Sequence, residues 1–243
     1  MKFTYKAYET LISLIRQNGY SFVGYGSREK QFVIMRHDVD FDLEKAAEFS
    51  SFERQLDIKA TYMILVSTNF YNVFSADGSR NLQKILENGH GIGLHFDESK
   101  YQISNNSQRE EYILNEINLL EQAAKQRITV ISMHRPGKNI LKEDFHIPGI
   151  ENSYASEYFT RIKYISDSRH SWKEDVERII QEKECDRLQI LTHPFWYQER
   201  EQSARETIEQ YMEKSQMRCY RWFENNITDM AELMAGNGDG NDG

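Results

Sequence analysis

The chain of 243 residues carries 38 acidic and 30 basic residues, which gives a formal net charge of −8, and 39% of its residues are hydrophobic. This length and composition suffice for the core of one large α/β domain or two small ones. The acidic balance, together with the absence of a lysine or arginine cluster, argues against a nucleic-acid-binding protein.

Two features of the sequence predict a cytoplasmic protein. The first six residues open no long apolar run of the kind found in a signal peptide, and residues 7–18 have the pattern of an amphipathic helix. No run of about 18 or more apolar residues could span a membrane. The two cysteines, Cys185 and Cys219, are far apart and match no metal-binding spacing. Such cysteine usage is typical of unpaired thiols in a reducing compartment.

Short β-branched or aromatic runs alternate with longer helical periods along the chain. In chain order the predicted elements are helix 5–18, strand 32–37, helix 42–56, strand 60–66, helix 79–88, strand 91–96, helix 107–126, strands 128–134 and 161–166, helix 172–184, strand 188–193 and helix 199–224. Strands separated by helices of this length indicate βαβ units and a parallel sheet. We predict a single α/β domain over residues 1–235 and a disordered tail of Gly, Asn and Asp over residues 236–243.

Two aspartates follow the apolar part of the first predicted strand. Asp38 and Asp40 are two residues apart, so they point to the same face if the strand continues. Two like charges at one place are costly unless a cation or a proton lies between them. The carboxyl ends of strands are also where α/β folds keep their chemistry. The alternative is an Asp-rich turn, whereas His37 alternates to the other face and is expected to be packed.

Histidines recur at the ends of three later strands. They are His95, His134 and His193, and in a parallel sheet these ends share one rim with Asp38 and Asp40. Carboxylates and imidazoles suit zinc and related divalent ions. A carboxylate outside the ligand set could act as a base and a histidine as an acid.

These motifs resemble those of the polysaccharide deacetylase superfamily, metal-dependent N-deacetylases with a distorted, incomplete (β/α) barrel of mostly parallel strands. The segment 36–40 (RHDVD) occupies the place of the family's Thr-Phe-Asp-Asp-Gly motif and is similar to its Asp-Val-Asp form. The segment 60–63 (ATYM) is similar to the family's second strand, Ala-Thr-Phe-Phe. The resemblance implies that Asp38 is the catalytic base and Asp40 a metal ligand.

The second motif of the family is similar to the segment 89–95 (GHGIGLH), so His95 takes the place of the first metal-binding histidine. The family's second histidine, four residues later, is replaced by Ser99. The third ligand stays open among His134, Asp97 and His193. We favour His134, because imidazole then replaces imidazole.

Two further segments resemble the family's catalytic motifs. The segment 135–137 (RPG) is similar to Arg-Pro-Pro-Tyr-Gly, which implies that Arg135 orients Asp38. The segment 191–193 (LTH) is similar to the family's last motif, which implies that His193 is the catalytic acid.

Substrate contacts are implied by two other segments. The segment 166–172 resembles the motif whose Asp and Trp line the site, which corresponds here to Asp167 and Trp172. Trp196 lies in the aromatic run 195–197 and is expected to join a wall on which a sugar stacks.

The resemblance implies a hydrolase of carbon–nitrogen bonds other than peptide bonds. Its expected reaction removes an N-acetyl group from a sugar or polysaccharide precursor, using a metal-activated water, an Asp base and a His acid, with zinc as the expected divalent ion. A cytoplasmic location favours a nucleotide-linked or lipid-linked sugar as substrate. Two alternatives remain: a non-catalytic carbohydrate-binding relative, suggested by the missing histidine, and an amide hydrolase of non-sugar substrates such as ureides.

Overall fold

The computed structural model describes residues 1–137, 141 and 143–235. In this part of the chain the strands are β1 (Ser21–Val23), β2 (Phe32–Val39), β3 (Thr61–Ile64), β4 (Gly91–Phe96), β5 (Val130–Met133), β6 (Glu151–Asn152), β7 (Lys163–Ser166) and β8 (Arg187–Thr192). The α-helices are α1 (Tyr5–Gln17), α2 (Leu43–Gln55), α3 (Ala76–Glu87), α4 (Asn106–Ala124), α5 (Ser156–Phe159), α6 (Val176–Gln181), α7 (Ala204–Asn226) and α8 (Met230–Ala235). The predicted tail over residues 236–243 lies outside the described residues.

One sheet contains these strands in the order β6-β5-β4-β3-β2-β8-β7, and β1 pairs with the first half of β2. Every pair of strands in it is parallel. Each predicted strand is present, which confirms the parallel α/β sheet. The strands β1 and β6 were not predicted, because segments of three and two residues are too short to show a periodic pattern.

Contacts across the interior demonstrate how strongly the sheet curls. β2 and β6 have three strands between them in the sheet, yet Arg36 Nη1 on β2 donates a hydrogen bond of 3.0 Å to Oγ of Ser153, directly after β6. Gln189 on β8 reaches the carbonyl oxygen of the same serine at 3.1 Å. The sheet is therefore an incomplete α/β barrel with polar side chains inside, as the resemblance implied.

β2 is buried along its whole length and sends polar side chains to both of its faces. Alternation directs Arg36 and Asp38 to the interior of the barrel and His37 to the outside. The His37 ring is fully buried against Phe49 of α2 and Tyr62 of β3, with ring centroids 5.4 and 4.6 Å away. His37 is therefore packed, as predicted.

A buried carboxylate of α2 links the helices to the outside of β2. Glu53 is fully buried and accepts hydrogen bonds from the hydroxyl of Tyr8, from the hydroxyl of Tyr62 at 2.5 Å and from His37 Nε2 at 2.9 Å. Burial alone would raise the pKa of Glu53, but His37, His90 and the Tyr62 hydroxyl together outweigh burial and hold that pKa below its usual value. His37 Nδ1 also lies 2.6 Å from Oγ1 of Thr192, so the network connects α1 and α2 with β2, β3 and β8.

The contacts within the chain divide it into two compact units, of which the first is Met1–Glu201 and the second begins at Gln202. The span predicted as one domain, residues 1–235, thus comprises both units. In the second unit α7 begins with a capping box between Ser203 and Glu206. No helix among the described residues has the length and apolarity needed to cross a membrane.

We expect the substitution Glu53→Gln to lower the free energy of unfolding by about 3 kcal/mol at pH 7, because an amide leaves buried donors without an acceptor. The native pKa of Glu53 is lowered. Its carboxylate therefore contributes stability above the pKa of the unfolded chain, about 4.3. That contribution is lost as the pH falls through the lower native pKa.

Urea unfolding of both proteins between pH 7 and pH 3 measures this difference. Glu48→Gln, at an exposed position of the same helix, is the matched control and is expected to change stability by less than about 0.5 kcal/mol. A difference between wild type and Glu53→Gln that does not shrink on acidification would contradict the account.

Candidate metal centre

The carboxyl ends of four strands bring acidic and imidazole side chains to one rim of the barrel. Asp40 follows β2, His95 lies near the end of β4, His134 follows β5 and His193 follows β8. In the register of β4 with β5, His95 pairs with Ser132, so His134 is two residues further along on the same face. The predicted convergence of these side chains is present in the structure.

Three ligand atoms form a nearly equilateral triangle. His95 Nε2 lies 3.1 Å from His134 Nδ1 and 3.3 Å from Asp40 Oδ1, and His134 Nδ1 lies 3.4 Å from the same oxygen. The side chains of the three residues are at most 15% exposed. Asp40, His95 and His134 therefore form a compact group of potential metal ligands.

The donor set and its spacing fit a zinc-like ion. Ligand distances of about 2.0–2.1 Å in a tetrahedral site place neighbouring ligand atoms about 3.3 Å apart. Asp40 Oδ1 is buried and has no hydrogen-bond partner among the described residues. Burial alone would raise the pKa of Asp40, but the neighbouring imidazoles of His134, His95 and His193 hold it well below its usual value. This ionised oxygen is thus available to a cation.

Ser132 fixes the orientation of His95. The Nδ1 atom of His95 lies 2.6 Å from Oγ of Ser132, behind the triangle. In the tautomer that donates the Nδ1 proton to this hydroxyl, the Nε2 lone pair points to the centre of the group. Metal-binding histidines usually donate the proton of the other ring nitrogen to a hydrogen-bond acceptor in this way.

The other two candidates for the third ligand, Asp97 and His193, make other contacts. Asp97 is buried and accepts hydrogen bonds at Oδ1 from the backbone N–H (3.1 Å) and hydroxyl (2.6 Å) of Ser99. Ser99 occupies the place of the missing histidine, so it holds the neighbouring carboxylate rather than an ion. His193 Nε2 lies 3.8 Å from Asp40 Oδ2, outside the triangle. The geometry therefore favours His134.

Asp38 lies beside the triangle and is held by a buried arginine of its own strand. Arg36 Nε and Nη2 donate to the two oxygens of Asp38 at 2.8 and 2.7 Å, and the guanidinium is fully buried. Asp38 Oδ2 lies 3.6 Å from His95 Nε2. Burial alone would raise the pKa of Asp38, but Arg36, together with His95 and His193, outweighs burial and holds the pKa below its usual value. Asp38 is thus an ionised, oriented carboxylate at the edge of the ligand group.

The pairing expected for Arg135 is corrected by this geometry. Its side chain is 71% exposed and its Nη2 lies 3.4 Å from Asp97, not at Asp38. Sequence reasoning missed Arg36, although the signal was present: Arg36 is two residues before Asp38 and so shares its face of the strand.

His193 and Asp167 form a dyad next to Asp40. His193 Nδ1 donates to Asp167 Oδ1 at 2.5 Å, and Oδ2 accepts from the His193 backbone N–H at 3.1 Å and from the Tyr197 hydroxyl at 3.3 Å. Burial alone would lower the pKa of His193, but Asp167 and other carboxylates raise it to about 9. The imidazole is therefore protonated at neutral pH, with Nε2 directed toward Asp40.

Two of the residues expected to contact substrate, Asp167 and Trp196, are buried. Asp167 is fully buried behind His193, so it supports that histidine and lines no open surface. Trp196 is only 8% exposed and packs on Phe195, with ring centroids 4.8 Å apart, which corrects the expectation of an open wall at this position. Trp172 is partly buried, and no hydrogen-bond partner of its Nε1 lies among the described residues.

We expect Arg36→Met to lower the free energy of unfolding by about 3–5 kcal/mol, because it leaves the Asp38 carboxylate buried without its partner. Adding Asp38→Asn should recover part of this loss, since both charges are then removed. Urea unfolding of the single and double variants measures the coupling. Arg135→Ala is the control and should change stability by less than about 0.5 kcal/mol. A cost of Arg135→Ala equal to that of Arg36→Met would reverse the assignment.

We expect metal-free protein to bind one zinc ion per chain. Asp40→Asn, His95→Ala and His134→Ala should each weaken binding by more than about tenfold, because each removes a ligand. Isothermal titration calorimetry with zinc provides the affinities. His146→Ala, at an exposed histidine paired with Asp144, is the control and should leave the affinity unchanged.

The same titration of Asp97→Asn separates the candidates for the third ligand. Retained zinc affinity in this variant agrees with a ligand set that includes His134. Loss of binding in Asp97→Asn with retention in His134→Ala would show that the third ligand is Asp97.

Comparison with known proteins gives a structural likeness. No family profile and no curated protein matches the sequence. A Streptococcus mutans CE4 esterase is similar with a TM-score of 0.50 and 14% identity, over 90% of this chain and 87% of that one. The wild-type CE4 family pseudoenzyme BA3943 of Bacillus anthracis has a TM-score of 0.44 and 13% identity, and the match covers 82% of this chain but only 65% of the pseudoenzyme.

A family 4 acetyl xylan esterase of Clostridium thermocellum, solved in complex with a cobalt ion, has a TM-score of 0.41 and 13% identity over 76% of this chain and 84% of the esterase. At these sequence identities a structural similarity is evidence for a shared fold alone, and here that evidence rests on the Streptococcus mutans esterase. The chain therefore has the fold of the family 4 carbohydrate esterases, the fold of the polysaccharide deacetylase superfamily that its motifs resemble.

Proposed function

We propose that the protein is a metal-dependent hydrolase that removes an N-acetyl group from a carbohydrate. One observation carries the proposal: the triangle of Asp40, His95 and His134 lies beside both an ionised carboxylate, Asp38, and a protonated imidazole, His193. A cation site with a base and an acid next to it has the parts needed to hydrolyse an amide.

Asp40, His95 and His134 would hold a divalent ion, for which zinc suits the donor set. When bound, such an ion supplies Lewis-acid chemistry, which lowers the pKa of a water molecule and stabilises negative charge on the carbonyl oxygen. The remaining roles belong to side chains of the chain itself.

Asp38 is proposed as the general base. The bidentate contact with Arg36 keeps the carboxylate ionised and limits its rotation, while Oδ2 faces His95. In the proposed reaction a water oxygen forms a bond to the acetyl carbon, and Asp38 accepts the proton that the water releases. Because the buried guanidinium of Arg36 already holds the Asp38 carboxylate in place, the carboxylate loses no conformational entropy when the reaction occurs.

His193 is proposed as the general acid. Asp167 keeps the imidazolium charged and binds Nδ1, so that Nε2 is the atom that donates. When the carbon–nitrogen bond breaks, this proton goes to the nitrogen of the leaving amine. The acetic acid formed returns a proton to His193, and the proton on Asp38 passes to the amine. The products are acetate and the amino sugar as its ammonium ion, and both side chains regain their starting charge.

The substrate proposed is a sugar that carries an N-acetyl group, free, within an oligosaccharide, or linked to a nucleotide or lipid. The polar, charged rim around Asp40 and His193 suits a hydrophilic amide rather than an apolar ligand. The structural similarity to a family 4 carbohydrate esterase supports a carbohydrate as substrate, but only through the shared fold.

We expect zinc-loaded protein to release acetate from N-acetylated chito-oligosaccharides. Asp38→Asn and His193→Gln should each lower kcat by at least about 100-fold, the usual effect of removing a general base or acid. Acetate release measured with a coupled assay gives kcat, and circular dichroism verifies folding. His146→Gln, which alters an exposed imidazole, is the matched control and should keep wild-type kcat.

Two outcomes would overturn the proposal. A zinc-loaded protein that binds oligosaccharides but releases no acetate from any N-acetylated sugar is a carbohydrate-binding protein. Hydrolysis of ureides without hydrolysis of acetylated sugars would identify an amide hydrolase of a different substrate class.

A further inference from the structure

The long helix of the second unit carries open apolar side chains over most of its length. α7 has 23 residues, of which Thr207 alone is buried. Its exposed large apolar side chains include Ile208, Met212, Trp222 and Phe223. Met212 is 63% exposed and Trp222 is 55% exposed. Single exposed apolar residues are normal, but a series of them along one helix marks a contact surface.

The second unit contains little core of its own. Over its described residues, 202–235, the only buried hydrophobic residue is Met230 of α8, and Leu233 and Met234 of the same helix are exposed. A segment of this size usually needs a disulfide, a metal or another chain to stay folded. Cys219 is unpaired, and the one group of potential metal ligands among the described residues lies in the first unit. Of the three, another chain is what the exposed surface of α7 can accept.

The open side chains of α7 include a stripe with the spacing of a coiled coil. Residues 208, 212, 215, 219 and 222 follow one another at intervals of four, three, four and three, which keeps them on one face of the helix. We call these five residues the α7 stripe. Its side chains are large at Ile208, Met212 and Trp222 and small at Ser215 and Cys219.

The α7 stripe is complementary to an antiparallel copy of itself. When residue 217 of one helix lies beside residue 217 of the other, each Met212 is opposite a Trp222, and each Ser215 is opposite a Cys219. Large side chains then form the two outer layers, and small side chains in the middle let the helices approach closely. A contact that uses the same surface on both chains is two-fold symmetric and closes on a dimer.

The charges along α7 favour the same arrangement. Residues 204–214 carry three acidic and two basic side chains, whereas residues 215–226 carry one acidic and two basic side chains. In an antiparallel pair the more acidic half of each helix lies along the more basic half of the other, and the two helix dipoles oppose each other.

An anionic lipid surface fits the second unit less well than a second copy does. Residues 202–235 carry six acidic and four basic side chains, whereas helices that bind anionic lipids are rich in lysine and arginine on their polar face.

We propose that α7 is the interface of a homodimer, in which the α7 stripes of two chains pack against each other antiparallel. The inference is independent of the proposed function, because it concerns the association of chains and not the reaction.

Analytical ultracentrifugation of the full chain over a range of concentrations tests the dimer. Wild type is expected to sediment with the mass of two chains at about 10–100 μM. Met212→Glu should shift the protein to the mass of one chain, because it buries an unpaired carboxylate in the interface. Met217→Glu is the matched control: Met217 is 64% exposed but lies on the face of α7 opposite the stripe, so this variant should remain dimeric. Circular dichroism verifies that both variants are folded.

The orientation of the two helices is tested by electron spin resonance. A single spin label is attached at residue 205 in the variant Arg205→Cys, with Cys185→Ser and Cys219→Ser to remove the native thiols. With a rise of 1.5 Å per residue, the antiparallel pair places the two labelled positions about 35–40 Å apart. A parallel pair would place them about 10 Å apart.

Four results would overturn the proposal. They are wild-type protein that stays monomeric over this range of concentration, equal dissociation in Met212→Glu and Met217→Glu, a dimer that persists in Met212→Glu, and labels separated by about 10 Å. A monomeric protein that binds anionic vesicles, and loses this binding in Met212→Glu, would assign the α7 stripe to a lipid surface and so also overturn it.

Discussion

Three of the carboxylates at one rim of the barrel, Asp38, Asp40 and Asp167, are shielded from water and require compensating positive charge, which differs from one to the next. Asp38 is paired with the fixed charge of Arg36, and Asp167 with the imidazole of His193. Among the described residues, the ion-pair partners of Asp40 are imidazoles alone, those of His95, His134 and His193. An imidazole can be neutral, whereas a guanidinium cannot. The rim thus has one carboxylate whose charge a bound cation would balance best.

The parallel order of the strands explains how this chain departs from the motifs that it resembles and still brings acidic, imidazole and guanidinium groups together at one rim. Ser99 stands where the second histidine is expected, and His134 supplies an imidazole from the neighbouring strand end. Arg135 points to solvent, and Arg36 supplies the guanidinium from within β2. In a parallel barrel the carboxyl ends of adjacent strands lie within a few ångströms of one another. A ligand or partner can therefore come from several sequence positions and still reach the same point.

The sequence predicted the parts of the site that follow from strand periodicity and strand ends. The two-residue spacing of Asp38 and Asp40, and the histidines after later strands, were enough to predict the shared rim. The ligand roles came from the family resemblance, which left the third ligand open. The resemblance assigned the guanidinium on Asp38 to Arg135, whereas alternation along β2 already placed Arg36 on the same face as Asp38. The burial of Trp196 was not predicted either, since exposure depends on how loops pack against one another.

Backbone conformation explains where the predicted helices and the structure differ. Helix 172–184 is predicted, but α6 covers only Val176–Gln181. Asp175 has a non-helical backbone, with φ −77° and ψ 85°, and its side chain accepts a hydrogen bond from the backbone N–H of Arg178, so the helix begins after it. Lys183 has a positive φ of 49°, which a right-handed helix does not allow, so the helix ends before it. The spacing of apolar residues does not by itself specify such helix ends.

The central claim is that Asp40, His95 and His134 bind one cation. Anomalous diffraction at the zinc edge, measured on crystals grown with zinc, tests it most directly. The account predicts one ion about 2.0–2.2 Å from Asp40 Oδ1, His95 Nε2 and His134 Nδ1, with Asp38 and His193 outside the ligand set. An ion coordinated by Asp97 in place of His134, or no anomalous peak among these three side chains at saturating zinc, would contradict it.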